Sequence, residues 1–278
     1  MTAEPTPEEQ AVRAVLERLD VTADGQDAFL AEAIKHGGPR LFGGLVAGQA
    51  MIAASRTVER ALSPHSLHAY FLQPGDPAEP VRYQVQRIKE GKNFHARSVV
   101  GSQGERVIFT LQASFLRPEP GFSHQDPMPE APPPESIDGE HFGFWGRASP
   151  MRLRECAPAV DPATGQATMR RLWIRPVAPL PEDPVLHLGL IVFASDMSLV
   201  GTGMIKHPEL RHLRRGGASL DHAMWFHRPI AFDDWMLYTM ETPAAHGSRA
   251  LVHGAMYRRD GTRLVSVAQE GLLRLRAQ

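Results

Sequence analysis

The sequence predicts an α+β fold made of two tandem copies of one unit, each an antiparallel sheet wrapped around a central apolar helix. Three observations predict it. Two glycine- and alanine-rich apolar stretches have helical length, each is followed by a His-Ala-aromatic strand that runs into a proline, and matched features recur in order at a nearly constant offset. His68 and His222 stand 154 residues apart and Tyr83 and Tyr238 155, while the pairs Gly104/Gly261 and Gln112/Gln269 are each 157 apart. Duplication explains that order better than chance recurrence of common residue types.

In chain order, the acidic, proline-containing start over residues 1–10 lacks a basic-then-apolar leader and reads as a frayed tail, overlapping a surface helix over 8–19. Residues 27–34 form a short extended segment. Residues 43–58 form the first apolar helix, whose small side chains give it a thin profile that a curved sheet can wrap closely. A strand over 66–71 ends toward Pro74, and strands around Tyr83 and Gln112 flank a turn at Gly104. The second unit repeats this with an extended segment over 170–177, a helix over 188–200, a strand over 219–226 and an Asp260-Gly261 hairpin before the strand of Gln269. A sheet wrapped on one helix in this way is the hotdog arrangement.

Seven prolines over 117–134 rule out a central strand or helix there, so this stretch is a linker. Residues 138–168 carry the weakest pattern, with a strand over 151–156 and a turn over 161–165. The expected division is 1–20 tail and helix, 21–116 first unit, 117–150 proline-rich linker and 151–278 second unit.

A net charge of -1 provides no general field for nucleic acid or an anionic membrane, although Arg211, Arg214 and Arg215 form a local basic patch. The apolar run over 186–204 approaches membrane-spanning length, but His187, Asp196 and three glycines interrupt it, so it reads as a buried helix and no membrane span is expected. The one cysteine, Cys156, has no partner for an intramolecular disulfide, which points to a reducing, cytoplasmic setting.

Asp196 is the most informative residue, because a carboxylate inside an apolar stretch persists only when bonded, paired or used in chemistry. The plainer reading is that Ser195 or Asp196 caps a helix. Ser219 and Gln269 carry less signal, since polar strand residues usually face solvent or bond a neighbouring backbone. His68 and His222, in matching places, favour a shared structural role such as a ring nitrogen bonded to backbone. A rough overlay of the two helices sets neutral Gln49 near the place of Asp196, and Gln112 has no acid partner in the first unit. There is no G-x-S-x-G elbow and no phosphate-binding glycine loop, and His65 with His68 lacks a third ligand at zinc spacing. Neither a metal nor an organic cofactor is required.

The stretches Phe42-Gly43-Gly44-Leu45-Val46-Ala47-Gly48-Gln49-Ala50, His65-Ser66-Leu67-His68-Ala69-Tyr70-Phe71-Leu72-Gln73-Pro74-Gly75-Asp76, Ala194-Ser195-Asp196, Asp221-His222-Ala223-Met224-Trp225-Phe226-His227-Arg228-Pro229 and Gln269-Glu270-Gly271 resemble the acyl-CoA thioesterase II family over nearly the whole chain. That resemblance implies a tandem double hotdog, an acyl-CoA substrate, and a homo-oligomer, either dimer or tetramer. It also implies that Asp196, Ser219 and Gln269 hold the attacking water without a covalent intermediate, and that His65, Gly44 and Gln49 contact substrate. Ser219 stands where many members have threonine, keeping the hydroxyl but dropping a rotamer-restricting methyl. Leu45 stands where glutamine is common. Two rivals share the fold class: a non-catalytic acyl-CoA binding or regulatory protein, which could dispense with the polar set, and an enoyl-CoA hydratase, which would carry an Asp/His pair on a loop before the helix.

Overall fold

The computed structural model describes residues 4–34, 38–139 and 149–276; the first three residues of the expected tail and 140–148 of the expected linker lie outside the described residues. In order the elements are α1 (Pro7–Leu19), β1 (Thr22–Ala23), β2 (Ala28–Ala31), α2 (Gly43–Ser55), β3 (Ser63–Phe71), β4 (Val81–Glu90), β5 (Phe94–Gln103), β6 (Arg106–Leu116), β7 (Met151–Glu155), β8 (Ala159–Val160), β9 (Ala167–Pro176), α3 (Pro184–Ser195), α4 (Leu199–Thr202), β10 (Arg214–Ser219), β11 (Asp221–Phe226), β12 (Met236–His246), β13 (Arg249–Arg258) and β14 (Arg263–Leu275).

One continuous sheet runs β1-β2-β4-β5-β6-β3-β11-β14-β13-β12-β9-β7, with β10 extending alongside β14 and β8 alongside β9. The joint between halves is antiparallel pairing of β3 with β11, in the register His222 opposite Ala69 and Ala223 opposite His68. Both central helices lie against this sheet and against each other, and their side chains merge with the sheet's inner face into one core. The fold is the expected tandem hotdog.

The helix pair is close because glycines face it. A Cβ on Gly44 would stand 2.5 Å from the Phe193 carbonyl oxygen, and one on Gly48 would stand 2.8 Å from that of Gly189. Those contacts set the two helices antiparallel, bringing the start of α2 to the end of α3. On the outside of the pair, α1 is held by a Thr6/Glu9 capping box and buries Val12, Val15, Leu16 and Leu19.

Three expectations change. The second helix does not run from 188 to 200: it begins at Pro184, where Asp183 caps Val185 N–H at 2.9 Å, and ends with Asp196 as its C-cap. Ser198 then takes the left-handed φ of 76° before α4 starts, so the apolar stretch is broken at its only carboxylate. By length and composition 184–202 could cross a membrane, but here 67% of its most apolar window is buried inside the protein. The proline-rich linker is a strap rather than a spacer. Met128, Ala131 and Ile137 cover an outer cluster of Cys156, Trp173, Trp235, Leu237, Ala255 and Tyr257, and Trp173 donates to the Pro132 carbonyl at 2.8 Å. Burial there pushes the Cys156 thiol up, away from the reactive thiolate.

The third change concerns phase. His68 is exposed and stacks edge-on against Trp225 at 5.4 Å, whereas His222 is 1% exposed on the inner face. Two residues separate His68 from Phe71 but three separate His222 from Phe226, and side chains alternate faces along a strand, so the matching histidines point oppositely. By face, the counterpart of His222 is Leu67. Gln112 is likewise exposed, and the counterpart of buried Gln269 is Ala113, which pairs with Leu67 across β3 and β6.

Candidate functional site

The end of α3 presents Asp196 to the start of α2. One carboxylate oxygen, Oδ2, accepts Gly44 N–H at 2.8 Å; the other, Oδ1, accepts the Ser219 hydroxyl at 2.9 Å. Ser219 Oγ in turn accepts from Gln269 Nε2 at 2.8 Å. Ser219 is the last residue of β10 and sits opposite Gly271 of β14, which brings it beside Gln269 on the same strand. Four residues far apart in sequence thus meet at one carboxylate: Gly44 of the first unit, and Asp196, Ser219 and Gln269 of the second.

The electrostatics are divided. Burial raises the Asp196 carboxyl above its ordinary range; His222, Ser219, Gln269 and Gly44 N–H act against that and favour the ionised form. Asp196 also sits between two helix ends, the electronegative C-terminus of α3 and the electropositive N-terminus of α2. Gly43 and Gly44 allow the approach, since a Cβ on Gly43 would lie 2.9 Å from Asp196 Oδ2 and 2.9 Å from the Phe71 ring. Phe71 is half-buried, and Phe42 packs edge-on to Phe193 at 5.2 Å, giving the carboxylate an apolar wall.

The sequence pattern favours a structural role for His222 shared with His68, with a ring nitrogen bonded to backbone; instead both His222 ring nitrogens bond side chains, and His222 joins this cluster while His68 does not. Its Nδ1 lies 2.5 Å from Gln269 Oε1 and its Nε2 lies 2.8 Å from Ser195 Oγ. An ionised Asp196 and the Ser219 oxygen need donors, so the Gln269 amide turns its NH2 toward them and its oxygen toward His222. Nδ1 must then carry the proton. Burial lowers the imidazole pKa, against the opposing pull of Asp196, and the neutral ring accepts the Ser195 hydroxyl at Nε2. The sequence did hold a signal: counted from Phe226 and Pro229, which match Phe71 and Pro74 at an offset of 155, His222 falls on the inward phase.

The remaining expected residues lie differently. Gln49 is buried two turns before the end of α2, with Tyr83 donating to its oxygen at 2.6 Å and its amide donating to the Arg18 carbonyl at 2.5 Å. The helix ends correspond, Ser55 with Ser195, so the overlay that set Gln49 near Asp196 is displaced. His65 is half-buried on β3, bonded to Ser114 Oγ at 2.7 Å and packed edge-on to Phe94. Neither makes a hydrogen bond to the Asp196 cluster. Leu45 is part of the core. Among the described residues no group of three His, Cys, Asp or Glu side chains could hold a metal ion.

A bonded Asp/Ser/Gln set at the junction of two fused hotdog units, with no nucleophile elbow, defines a class: tandem hotdog proteins with a buried, hydrogen-bonded carboxylate where the two units meet. Comparison with known proteins narrows the class. Residues 153–272 match the family model described as acyl-CoA thioesterase, and residues 30–116 match the acyl-CoA thioesterase N-terminal domain. The chain is 38% identical over 262 residues to acyl-coenzyme A thioesterase 8 of Mus musculus, covering 86% of this chain and 82% of that one. It is 33% identical to acyl-CoA thioesterase 2 of Haemophilus influenzae, covering 88% and 92%. The crystal structure of an acyl-CoA thioesterase II from Mycobacterium marinum superposes with a TM-score of 0.84 at 38% identity, covering 95% and 99%. This chain belongs to the acyl-CoA thioesterase family.

Proposed function

We propose that the chain hydrolyses acyl-CoA thioesters to the free carboxylic acid and coenzyme A, with Asp196 as general base. The observation that carries this reading is the closed set Gly44–Asp196–Ser219–Gln269 around one buried carboxylate. Asp196 retains acceptor positions beyond its two bonds, and the Gln269 NH2 and Ser219 Oγ supply a further donor and acceptor, enough to fix one water on three sides. As the water oxygen bonds the thioester carbon, its proton passes to Asp196. The tetrahedral intermediate expels the thiolate, and the proton returns to sulfur or solvent. Thiolate is a good leaving group, so no covalent enzyme intermediate is needed.

The His222 Nδ1–H bond holds the amide of Gln269 in the orientation this water requires. Phe42 and Phe71, both partly exposed beside the carboxylate, offer the acyl chain its apolar contact, and Phe193 backs Phe42 from the core. We also read the chain as a homo-oligomer, dimer or tetramer, because Tyr70 (61% exposed) and Trp225 (38%) stand on the outer face of the central strands; static light scattering at one chain's mass would sink that reading. The decisive experiment for the reaction is thiol release from a panel of short to long saturated acyl-CoAs. Release from some member is expected, and none from any would leave the non-catalytic binding reading in its place.

A further inference from the structure

We infer that the arginine-lined cavity beside the candidate site holds the phosphorylated nucleotide end of the coenzyme A carrier. The inference rests on the proposed thioester hydrolysis and adds where the carrier is gripped. The cavity, about 720 Å3, is lined by Arg40, Arg215 and Arg274 with Ala218, Leu272 and Leu275 among its other walls, and no lining residue is acidic. It contains part of the basic patch that the near-neutral net charge left unexplained.

Two independent chain segments lead from this cavity to the buried carboxylate. Ala218 is followed by Ser219, which bonds Asp196 Oδ1, and Arg40 lies four residues before Gly44, whose N–H bonds Oδ2. Arg40 also donates to the Gly217 carbonyl, tying the two segments together where both line the cavity. Arg215 stands four residues before Ser219 on β10, on the order of 13 Å of extended strand. That separation suits a substrate whose reacting group and anionic groups sit at opposite ends of a pantetheine arm. Two of the lining residues need to be glycine: Gly216 takes φ +138°, and a Cβ on Gly217 would stand 2.6 Å from the Arg214 guanidinium and 2.8 Å from a Val200 methyl.

The chemistry matches the carrier. Guanidinium forks bind phosphate oxygens bidentately, and Leu272 and Leu275 give an apolar face for a base ring. A thioester carrier without phosphates would leave the arginines without a function in recognition.

The test is calorimetric titration of the full chain with coenzyme A, pantetheine and inorganic phosphate, for wild type and for Arg215→Gln/Arg274→Gln. Coenzyme A affinity is expected to fall about tenfold or more in the double variant, as loss of charged hydrogen bonds implies. Pantetheine affinity should not change, the KM for acyl-CoA should rise by the same factor, and added salt should weaken wild-type binding of coenzyme A more than the variant's. Unchanged coenzyme A affinity in the variant overturns the inference, as does an equal loss for pantetheine. Loss of phosphate binding with coenzyme A unaffected overturns it too, marking a site for free anion. A wild type that binds coenzyme A through these arginines but releases no thiol supports the cavity assignment and instead sinks the hydrolytic reading.

Discussion

At Asp196 one atom pair separates chemistry from structure. Asp196→Asn keeps an acceptor for Gly44 N–H and a polar group toward Ser219 but cannot take a proton, so thiol release is expected to fall by roughly 10²–10⁴-fold with circular dichroism unchanged. The same variant carries a stability signature. The folded-state pKa of Asp196 is raised above its unfolded value, so its contribution is favourable below the unfolded value and is lost as pH rises through the folded one. The asparagine has no such loss. The Tm of the variant minus that of wild type should therefore increase from acidic to alkaline pH, and a flat difference would contradict a raised Asp196. His222 acts in the opposite sense. Its pKa is lowered on folding, so wild-type stability declines as pH drops below the ordinary imidazole value of about 6.5.

In the proposed mechanism His222 is a positioning residue. His222→Asn places an NH2 near where Nδ1 stood and should retain most of the rate, whereas His222→Gln places its amide nearer Nε2 and leaves Gln269 Oε1 without its donor. The expected result for glutamine is a kcat lower by roughly 10²-fold with KM little changed. Equal rates for the two variants would show that the ring only fills space. Asp196 was legible in the sequence because a carboxylate stands out in apolar surroundings. Ser219 and Gln269 came into focus through a family resemblance. His222 was not legible from the His-Ala pairing with His68, since an inserted residue reverses which face a strand side chain occupies, and only counting back from Pro229 recovers the phase.

Among the elements, the α2–α3 contact has the least slack. At Gly48 a methyl would meet the Gly189 carbonyl at 2.8 Å and Leu19 Cδ2 at 2.6 Å, and the backbone oxygen cannot yield without moving a helix. Gly48→Ala should cost about 1–3 kcal/mol, read as a lower urea midpoint. Gly189→Ala meets the flexible end of Ile52 instead, so it should cost less and recover in the double variant with Ile52→Val. If Gly48→Ala left the midpoint in place, the helices would have to part more easily than the 2.8 Å approach to the Gly189 carbonyl allows. The small-residue composition of both helices announced this packing, and the period-2 strands with their glycine turns announced the meanders. What the pattern concealed was punctuation inside the apolar run. Asp183-Pro184 starts α3 before the apolar residues become dense, and the Asp196 cap with left-handed Ser198 ends it while apolar residues continue. Prolines over 117–134 argue against a central strand or helix there, but composition alone does not reveal that Met128, Ala131 and Ile137 have an apolar face to cover, nor that a 3-10 turn starts at Pro134.

For the whole molecule, the duplicated architecture has become a division of labour. At the places of Ser219, His222 and Gln269, the first unit carries Pro64, Leu67 and Ala113, so by side-chain chemistry it has no counterpart of that polar set. Its contribution is instead the Gly44 N–H, the packing face of α2 and the β3 edge that pairs with β11. Separated, the second half would expose the Gly189 face of α3, an unpaired β11 edge and a carboxylate lacking one of its donors, each unfavourable in water or in a half-formed core. Expressed alone, residues 151–278 should therefore show no cooperative unfolding transition and no thiol release. Co-expressed with residues 1–150 as a separate chain, they should recover both, with activity that falls on dilution as the non-covalent pair dissociates. Full activity from the second half alone would refute the dependence on Gly44 and on the shared helix pair. Recovered folding without recovered thiol release would mean that the linker strap over Trp173 and Trp235 must be covalently continuous to set the angle between the halves.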